Sequence, residues 1–544
     1  MHPDIIRARA LRRLPDNFQR LSGSAKVNAI LDLSDPESFI RKLAPDSLYL
    51  LLREIGVEDC LDLIPMTTFE QRQAFVDLDV WRGAELDTAE LDSWLAILSA
   101  AGGEQLVVDT VSDLDPELLV DYILNHAVIV LDRTEEDEIE AYEQHYIHLR
   151  TPDQDFVIVL PPTEEDEVSR VTRMVDALYR GGLKRARDLM FACKTGLRLE
   201  NEELAYRFRT GRLADLGFPS REDAWNLFSP IDEDALRQSL ISDPRPPMHI
   251  GEDQDQLGLV MSRSLREKSF LNRCLEGVHD TERFVREYGA MVNRSVVAEP
   301  GEFVLRDVDR LASIAATARA TISLGLEILA EGSETKGKDI IDRVWLIQLH
   351  QLGHRAAVKR AVEAKRLQLL GGTLFSPAIQ SVLEHLRWIP RPYYTEPSGN
   401  PRPFRSMDDL IETDRILDYA SRLADGFEKS FGISSAKFSA HEFPGLSEDD
   451  RAYITYETLA QTLIARFLIT GSPSLQPLSP SEVLEVAARA KEVEGAAAEL
   501  ASQIQQSADV LTQAATQLVA ALQPIKVPSD VNLLRTALLI TSSH

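Results

Sequence analysis

The chain has 544 residues, of which 44% are hydrophobic, and this content is sufficient for ordinary buried cores. Its 59 Lys and Arg residues against 87 Asp and Glu residues give a net charge of −28. This composition excludes a disordered tail and a disulfide-stabilised miniprotein. It also disfavours nucleic acid and anionic membranes as partners, unless basic residues are concentrated in one place.

The cysteines and the N-terminus indicate a compartment. Cys60, Cys193 and Cys274 form no CxxC pair, and so sparse a set suits a reducing interior. Arginines interrupt the apolar residues of the N-terminus, and no apolar run approaches the ~20 residues needed to span a bilayer. We therefore predict free, buried thiols and a cytoplasmic protein with no membrane partner.

Residues 1–132 are predicted to form an acidic N-terminal helical array. Three helix starts of one type, each with proline in the first turn beside an acidic residue, occur at 35–37, 44–46 and 115–117. The segment 67–70 has the spacing of a capping box. This succession of short amphipathic helices is typical of an irregular α-solenoid.

Residues 133–243 are predicted to hold a β-hairpin insertion and further helices. The runs 145–150 and 155–160 are rich in β-forming residues and flank a turn-forming segment, which predicts two antiparallel strands. The neighbouring acidic cluster 135–138 could bind Mg²⁺ or Ca²⁺ weakly, because hard cations prefer carboxylate oxygen.

Three segments resemble an uncharacterised bacterial family that is catalogued only as a domain of unknown function. They are LREIGVEDCLDL at 52–63, DLDVW at 77–81 and GRLADLGFPSREDAWNLFSPID at 211–232. The similarity covers roughly the first 250 residues, with weaker similarity beyond. The helical N-terminal part is similar in style to the cytoplasmic superhelical domain of MgtE-type magnesium channels, although their transmembrane region is lacking. The resemblance implies a helical fold. Because the family carries no known activity, it supplies no mechanism, and no catalytic residue can be transferred from it.

Residues 252–389 are predicted to form a central helical domain after a Pro-rich connector at 243–251. It contains two long helices within 305–371, joined by a polar segment. Part of that segment, 332–339, nearly spells a phosphate-binding loop. However, Asp339 takes the place of the required hydroxyl residue, and no strand precedes the loop. A solvated turn between helices is the simpler interpretation.

Two pairs of histidines are candidate metal ligands. His350 and His354 lie four residues apart on a predicted helix, which is a workable half of a zinc site. Gln351 stands where a zinc protease needs its glutamate base, and no third ligand is evident. Packed or surface histidines are therefore the simpler interpretation. His145 and His148 should not share one site, because residues three apart on a strand point to opposite faces.

Charge is divided unevenly along the chain. Residues 1–170 contain 14 Lys and Arg against 36 Asp and Glu, whereas residues 343–405 contain ten against three. This basic stretch predicts a helix face next to a Pro- and aromatic-rich loop, suited to an anionic ligand or an acidic protein segment. The candidate binding residues are Arg355, Lys359, Arg360, Arg366, Arg391 and Tyr393. Alternatively, these charges solvate a helix or pair with the acidic N-terminal half.

Residues 390–478 are predicted to hold the Pro- and aromatic-rich loop and further helices, and residues 479–544 a long C-terminal helix and a tail. Apolar and small residues recur at near-heptad spacing from Val493 to Leu522. This stripe packs either within the chain, which is the simpler alternative, or across a homodimer.

Together these patterns predict a mainly α protein, an irregular helical array with a small β-hairpin insertion and a long C-terminal helix. Because helical arrays present extended surfaces, the leading hypothesis is a non-catalytic cytoplasmic scaffold for protein interaction or regulation. The alternatives are a sensor of an anionic ligand or divalent metal ion, and an enzyme with an unrecognised site. No catalytic residue is predicted, and the only candidate cofactor is a divalent cation.

Overall fold

Helices form most of the chain, as the repeated amphipathic patterns predict, and the mainly α fold class is confirmed. The computed structural model describes residues 15, 18, 21–131, 146–162, 165–196, 198–242, 269–275, 281–300, 307–446, 448–504, 507–525 and 527–541. The predicted connector 243–251, the acidic cluster 135–138 and His145 lie outside the described residues.

The acidic N-terminal part consists of short helices in succession. They are α1 (Gly23–Leu31), α2 (Pro36–Arg41), α3 (Pro45–Ile55), α4 (Phe69–Asp79), α5 (Thr88–Asp113) and α6 (Pro116–His126), with a two-stranded hairpin of β1 (Trp81–Arg82) and β2 (Glu85–Leu86) before α5. All three predicted proline-first helices are confirmed. The capping box of α4 is formed by Thr68 and Gln71, so it lies one residue later than the predicted segment 67–70.

The predicted hairpin is confirmed and gains a third strand. Strands β3 (Val128–Leu131), β4 (Ile147–Arg150) and β5 (Phe156–Leu160) form an antiparallel sheet in the order β3-β5-β4. One face of the sheet, including Phe156 and Ile158, belongs to the large core around it. An isolated hairpin is marginal in water, and this packing gives the insertion its support.

Further helices follow the sheet. They are α7 (Glu165–Gly181), α8 (Leu183–Thr195), α9 (Arg198–Asp215), α10 (Arg221–Trp225), α11 (Glu233–Ser242), α12 (Phe270–Leu275) and α13 (Thr281–Ala298). Helix α7 shows why they pack: Val171, Met174, Val175 and Leu178 recur at helical spacing and are buried.

The two predicted long helices are present, and they pack closely against each other. They are α14 (Val308–Leu329) and α16 (Leu346–Leu370), with the short α15 (Glu334–Arg343) between them. Glycines allow the close crossing, because a Cβ atom added at Gly353 would lie 2.2 Å from the Thr321 carbonyl oxygen. The segment 332–339 turns into α15, whose first turn is capped by Ser333.

The Pro- and aromatic-rich stretch is ordered instead of being an irregular loop. After α17 (Pro377–Leu386), strands β6 (Tyr393–Thr395) and β7 (Pro401–Pro403) form an antiparallel hairpin that precedes α18 (Met407–Phe431). The hydroxyl of Tyr394 donates to Glu412 on α18, and the Arg402 guanidinium lies 4.2 Å from the centre of the Tyr394 ring. These contacts fix the hairpin against α18.

The C-terminal part differs from the prediction of one long helix. It consists of α19 (Glu448–Arg451), α20 (Tyr456–Thr470), α21 (Pro480–Ala488), α22 (Val493–Ala501) and α23 (Ala508–Leu522). Helices α22 and α23 pack against each other, and their stripe residues, among them Leu500, Leu511 and Leu518, are buried. The stripe is continuous in sequence because both helices bury their apolar sides in one core. It therefore packs within the chain.

Seven 3₁₀ segments complete the described structure, at Val57–Cys60, Ile64–Met66, Asn226–Phe228, Gly372–Leu374, Phe438–Ala440, Ala490–Glu492 and Pro528–Leu534.

The buried apolar side chains form two large clusters, which we call the N-terminal core and the C-terminal core. The N-terminal core extends from Phe18 to Leu352, and the C-terminal core from Leu324 to Ile540. Helices α14 and α16 contribute to both cores. They therefore join the two cores, and the five-part domain division at 132–133, 243–252, 389–390 and 478–479 stays a prediction.

Among the described helices, α14 alone has the length and apolar composition that could cross a membrane. In this structure 61% of its apolar window is buried inside the protein. Its packing against α16 gives it the character of a central core helix.

Candidate functional site

The predicted basic helix is α16, and its orientation decides which of its cations are available. Gly353 lies against the backbone of α14, so the opposite side of α16 faces outward. Residues at intervals of three, four and seven share one side of a helix. This spacing places Arg355, Lys359 and Val362 on the outward side, followed by Arg366 and Leu369.

The first turns of α16 bind the backbone of the segment 226–231. The side-chain amide of Gln351 donates to the Asn226 carbonyl over 2.8 Å, and Arg355 Nη1 donates to the Ile231 carbonyl over 2.6 Å. His350 Nδ1 lies 3.3 Å from the Leu227 carbonyl oxygen. We call this arrangement the carbonyl latch. It occupies Arg355, one of the predicted anion-binding residues, in an internal contact.

His350 and His354 are both inside the protein. Burial, together with His354, lowers the pKa of His350 to about 3, and burial also lowers the pKa of His354. His354 Nε2 lies 3.2 Å from the Pro390 carbonyl oxygen, and its ring centre is 4.9 Å from that of Phe228. Both imidazoles are therefore neutral and packed.

A metal site at these two histidines gains no further ligand from the described part of the chain. Within that part, no group of three or more His, Cys, Asp and Glu side chains could hold a metal ion. The zinc site at His350 and His354 stays a prediction.

Two other predicted cations hold α16 against α18. Arg360 forms a bidentate ion pair with Asp414, in which Nε lies 2.8 Å from Oδ1. Arg366 pairs with Glu363 on its own helix and donates to the Ser421 hydroxyl over 2.6 Å. The side chain of Arg366 nevertheless stays 47% exposed.

The predicted loop residues lie at the other end of this region. Arg391 is buried and forms an ion pair with Glu299, which follows α13. Tyr393 begins β6, and its ring lies edge-on to exposed Trp388 with centres 5.4 Å apart. The structure therefore separates Arg391 from the outward side of α16 and does not bring all six predicted residues into one pocket.

An exposed group of apolar and basic side chains remains on α16. We call it the α16 face; it consists of Lys359, Val362, Lys365, Arg366 and Leu369. Val362 is 67% exposed and Leu369 is 75% exposed. Lys359 and Lys365 are exposed, and neither has an ion-pair partner among the described residues. The sequence analysis identified the cations of this face but not Val362 and Leu369. The only sequence feature that could have identified this apolar pair is its seven-residue spacing on an otherwise polar helix side.

The three segments of the family resemblance meet in a second charged site, the N-terminal ion cluster of Arg53, Asp77, Asp79, Asp115 and Arg212. Arg212 Nε lies 2.7 Å from Asp77 Oδ2, and its Nη2 lies 2.6 Å from Asp115 Oδ2. Arg53 forms an ion pair with Asp79.

Neighbouring aromatic residues complete the N-terminal ion cluster. Asp79 also accepts hydrogen bonds from the Tyr49 hydroxyl at 3.0 Å and the Trp94 indole at 2.7 Å. Asp77 and Asp79 are almost fully buried. Because the protein's own side chains occupy these carboxylates, the cluster joins α3, α4 and α9.

The cysteines are relevant to the hypothesis of an enzyme with an unrecognised site. All three cysteines are free and buried, as predicted, and burial raises the pKa of Cys193 to about 12. A protonated, buried thiol is a poor nucleophile.

A groove lies between α13 and the start of α16. It is lined by Glu287, Arg294, Trp345 and apolar neighbours, and Glu287 pairs with Arg283.

Comparison with known proteins identifies a family. The family described as "Family of unknown function (DUF6178)" matches residues 3–525, so the chain belongs to it. The match covers nearly the whole chain, including the part beyond residue 250 where the sequence resemblance is weaker. No curated protein and no solved structure matches the chain.

Proposed function

We propose that this member of the DUF6178 family is a non-catalytic, cytoplasmic scaffold that binds a protein partner through the α16 face. The observation that carries the proposal is the exposure of Val362 and Leu369 on the same helix side as Lys359 and Lys365, two lysines that have no ion-pair partner among the described residues. Isolated exposed apolar residues are common on proteins. Two exposed apolar side chains on the same side of one helix are different, because a partner can cover both of them together. Covering them would stabilise the complex by about 25 cal/mol for each Å² of apolar area removed from water.

The way the cations are used favours a protein partner over a small anion. Arg355, Arg360 and Arg391 are engaged with a carbonyl or carboxylate of the chain itself. A phosphate-sized ligand needs several cations that converge on one point. The remaining Lys359 and Lys365 alternate along the helix with Val362 and Leu369, and this arrangement suits a partner that covers a length of helix.

The alternatives remain open to simple measurements. A thermal shift with Mg²⁺, Zn²⁺ or inorganic phosphate would favour the sensor hypothesis, since a ligand that binds the folded state stabilises it. Similarity of the N-terminal helices to the MgtE superhelical domain also stays a prediction. It predicts a response to Mg²⁺ in the same experiment.

Site-specific cross-linking tests the proposal. A photoreactive amino acid replaces Val362 in the full chain, expressed in its native cells, and cross-linked proteins are identified by mass spectrometry. We expect a defined partner whose cross-link is lost when Lys359→Glu and Lys365→Glu are introduced together.

The matched control carries the same photoreactive group at Leu199, which is 79% exposed on α9. If the two positions cross-link to the same proteins, or if charge reversal leaves the adduct at position 362 unchanged, the α16 face is not the binding surface.

A further inference from the structure

We infer that the partner segment is an acidic amphipathic α-helix that lies along the α16 face. This inference rests on the proposed function and adds the chemistry of the partner. It follows from three properties of the face: the spacing of its apolar residues, the position of its cations, and the contacts that its neighbours already make.

The apolar spacing matches a helical partner. Val362 and Leu369 are seven residues apart, which is about 10.5 Å along the helix axis at 1.5 Å per residue. Partly buried Val358 precedes Val362 by four residues, and Lys365 follows it by three. Steps of four, three and four define a heptad seam, into which a second helix inserts apolar side chains at matching positions.

The cations determine the charge of that helix. Lys359 and Arg366 each follow a seam residue by one position, Val358 and Lys365 respectively, and such flanking positions pair with charges on a partner helix. The nearest carboxylates of α18, Asp414 and Asp425, already face Arg360 and Arg366. A glutamate on the partner's flank would therefore meet Lys359, which has no ion-pair partner among the described residues, while exposed Lys365 adds an unpaired positive charge within the seam itself.

Two other occupants fit less well. In a second copy of the chain, the same face would place lysine opposite lysine, and like charges oppose such pairing. A membrane-binding helix carries a broad apolar side of many residues, whereas this face has two strongly exposed ones. The experiment below can also detect binding of a second copy of the chain or of a membrane.

Designed peptides test the inference on the full-length protein. One probe is a four-heptad helix with leucine at the seam and glutamate on both flanks, and the second has lysine on the flanks. Binding is measured by fluorescence anisotropy. We expect the glutamate peptide to bind the wild-type chain, more weakly as salt is added. Its affinity should fall by about tenfold or more in Lys359→Glu/Lys365→Glu, and the lysine peptide should bind that variant better.

A matched charge reversal provides the control. Lys184→Glu/Lys491→Glu changes the net charge by the same amount at two other exposed lysines, and it should leave glutamate-peptide binding unchanged. Circular dichroism checks that both variants fold.

Equal affinity of the two peptides, an equal loss in the control, or no glutamate-peptide binding at about 0.1 mM overturns the inference. Phosphatidylserine vesicles that bind through Lys359 and Lys365, or dimers that depend on Val362, would identify the other occupants.

The two proposals can fail separately. A cross-linked partner at position 362 without peptide binding would leave the scaffold proposal standing and remove the acidic helix. Peptide binding without a cellular cross-link at that position would support the chemistry of the face and contradict its proposed use.

Discussion

The N-terminal ion cluster and the α16 face use charged residues in opposite ways. In the cluster, Arg53 and Arg212 are directed at buried carboxylates, and each carboxylate is occupied. On the face, Lys359 and Lys365 project outward beside exposed apolar side chains. The net charge of a segment therefore does not tell whether its cations are available to a partner.

The chemistry of the two cation types accounts for the difference. The planar guanidinium of arginine matches a carboxylate with two parallel hydrogen bonds, so it suits fixed internal contacts. The ammonium group of lysine is compact and strongly hydrated, and it stays in water at lower cost. Within the basic stretch, Arg355, Arg360 and Arg391 all make internal contacts, and Arg360 makes the bidentate one, with Asp414. The two lysines remain exposed to water.

Removing a partner inside the N-terminal ion cluster should have the largest effect. Arg212→Ala leaves Asp77 buried without its bidentate partner, and we expect a loss of about 4 kcal/mol in the free energy of unfolding. Urea denaturation measures it. The control is Arg207→Ala, an exposed residue on the same helix, which should change stability by less than about 0.5 kcal/mol. Similar losses in the two variants would show that the cluster is not a structural unit.

The packing of α16 against α14, which holds the α16 face in place, can be tested at Gly353. Gly353→Ala introduces a methyl group where the Thr321 carbonyl lies, and we expect a loss of about 3 kcal/mol. Gly211→Ala is the matched control, since its added Cβ meets no atom within 4 Å and should stabilise α9 by about 0.5 kcal/mol. Equal melting temperatures would mean that α14 and α16 can separate without cost.

Acid should destabilise the buried side of α16. The folded-state pKa of His350 is about 3 and its unfolded value is near 6.5, so its stabilising contribution is complete above pH 6.5 and declines below it. At pH 5 the loss should be about 2 kcal/mol. Urea denaturation above pH 6.5 and at pH 5, in the wild type and in His350→Gln, measures this difference in the free energy of unfolding. An unchanged slope in the variant would show that His350 is not buried in its neutral form.

The exposed side of α16 should tolerate change. Leu369→Asn removes an exposed apolar side chain, and its effect on stability should stay within about 0.5 kcal/mol. Leu367→Ala, two residues earlier and fully buried, should cost about 3 kcal/mol in the same thermal and urea assays. A large loss from Leu369→Asn would place this residue in the fold and remove it from the binding surface.

Local chemistry made much of the fold predictable. Proline fixes its own φ, so the helix starts at Pro36, Pro45 and Pro116 could be located from sequence. The capping box at the start of α4 was located to within one residue, because its two hydrogen bonds join residues three apart.

Features that depend on distant residues could not be predicted in the same way. The stripe from Val493 to Leu522 keeps its spacing across the break between α22 and α23, so periodicity alone suggested one helix. His350, Gln351 and Arg355 bind carbonyls 123 to 125 positions away. No local pattern identifies such a partner, and the available cations could be separated from the engaged ones only in three dimensions.

The carbonyl latch has a consequence for how the chain can vary. Its three side chains recognise main-chain oxygens, which every amino acid supplies. Exposed Asn226 could therefore be exchanged freely, while positions 350, 351 and 355 could not. Mutational tolerance at this junction should therefore differ from residue to residue: high at exposed Asn226, and low at fully buried Leu227 and at the three binding positions of α16.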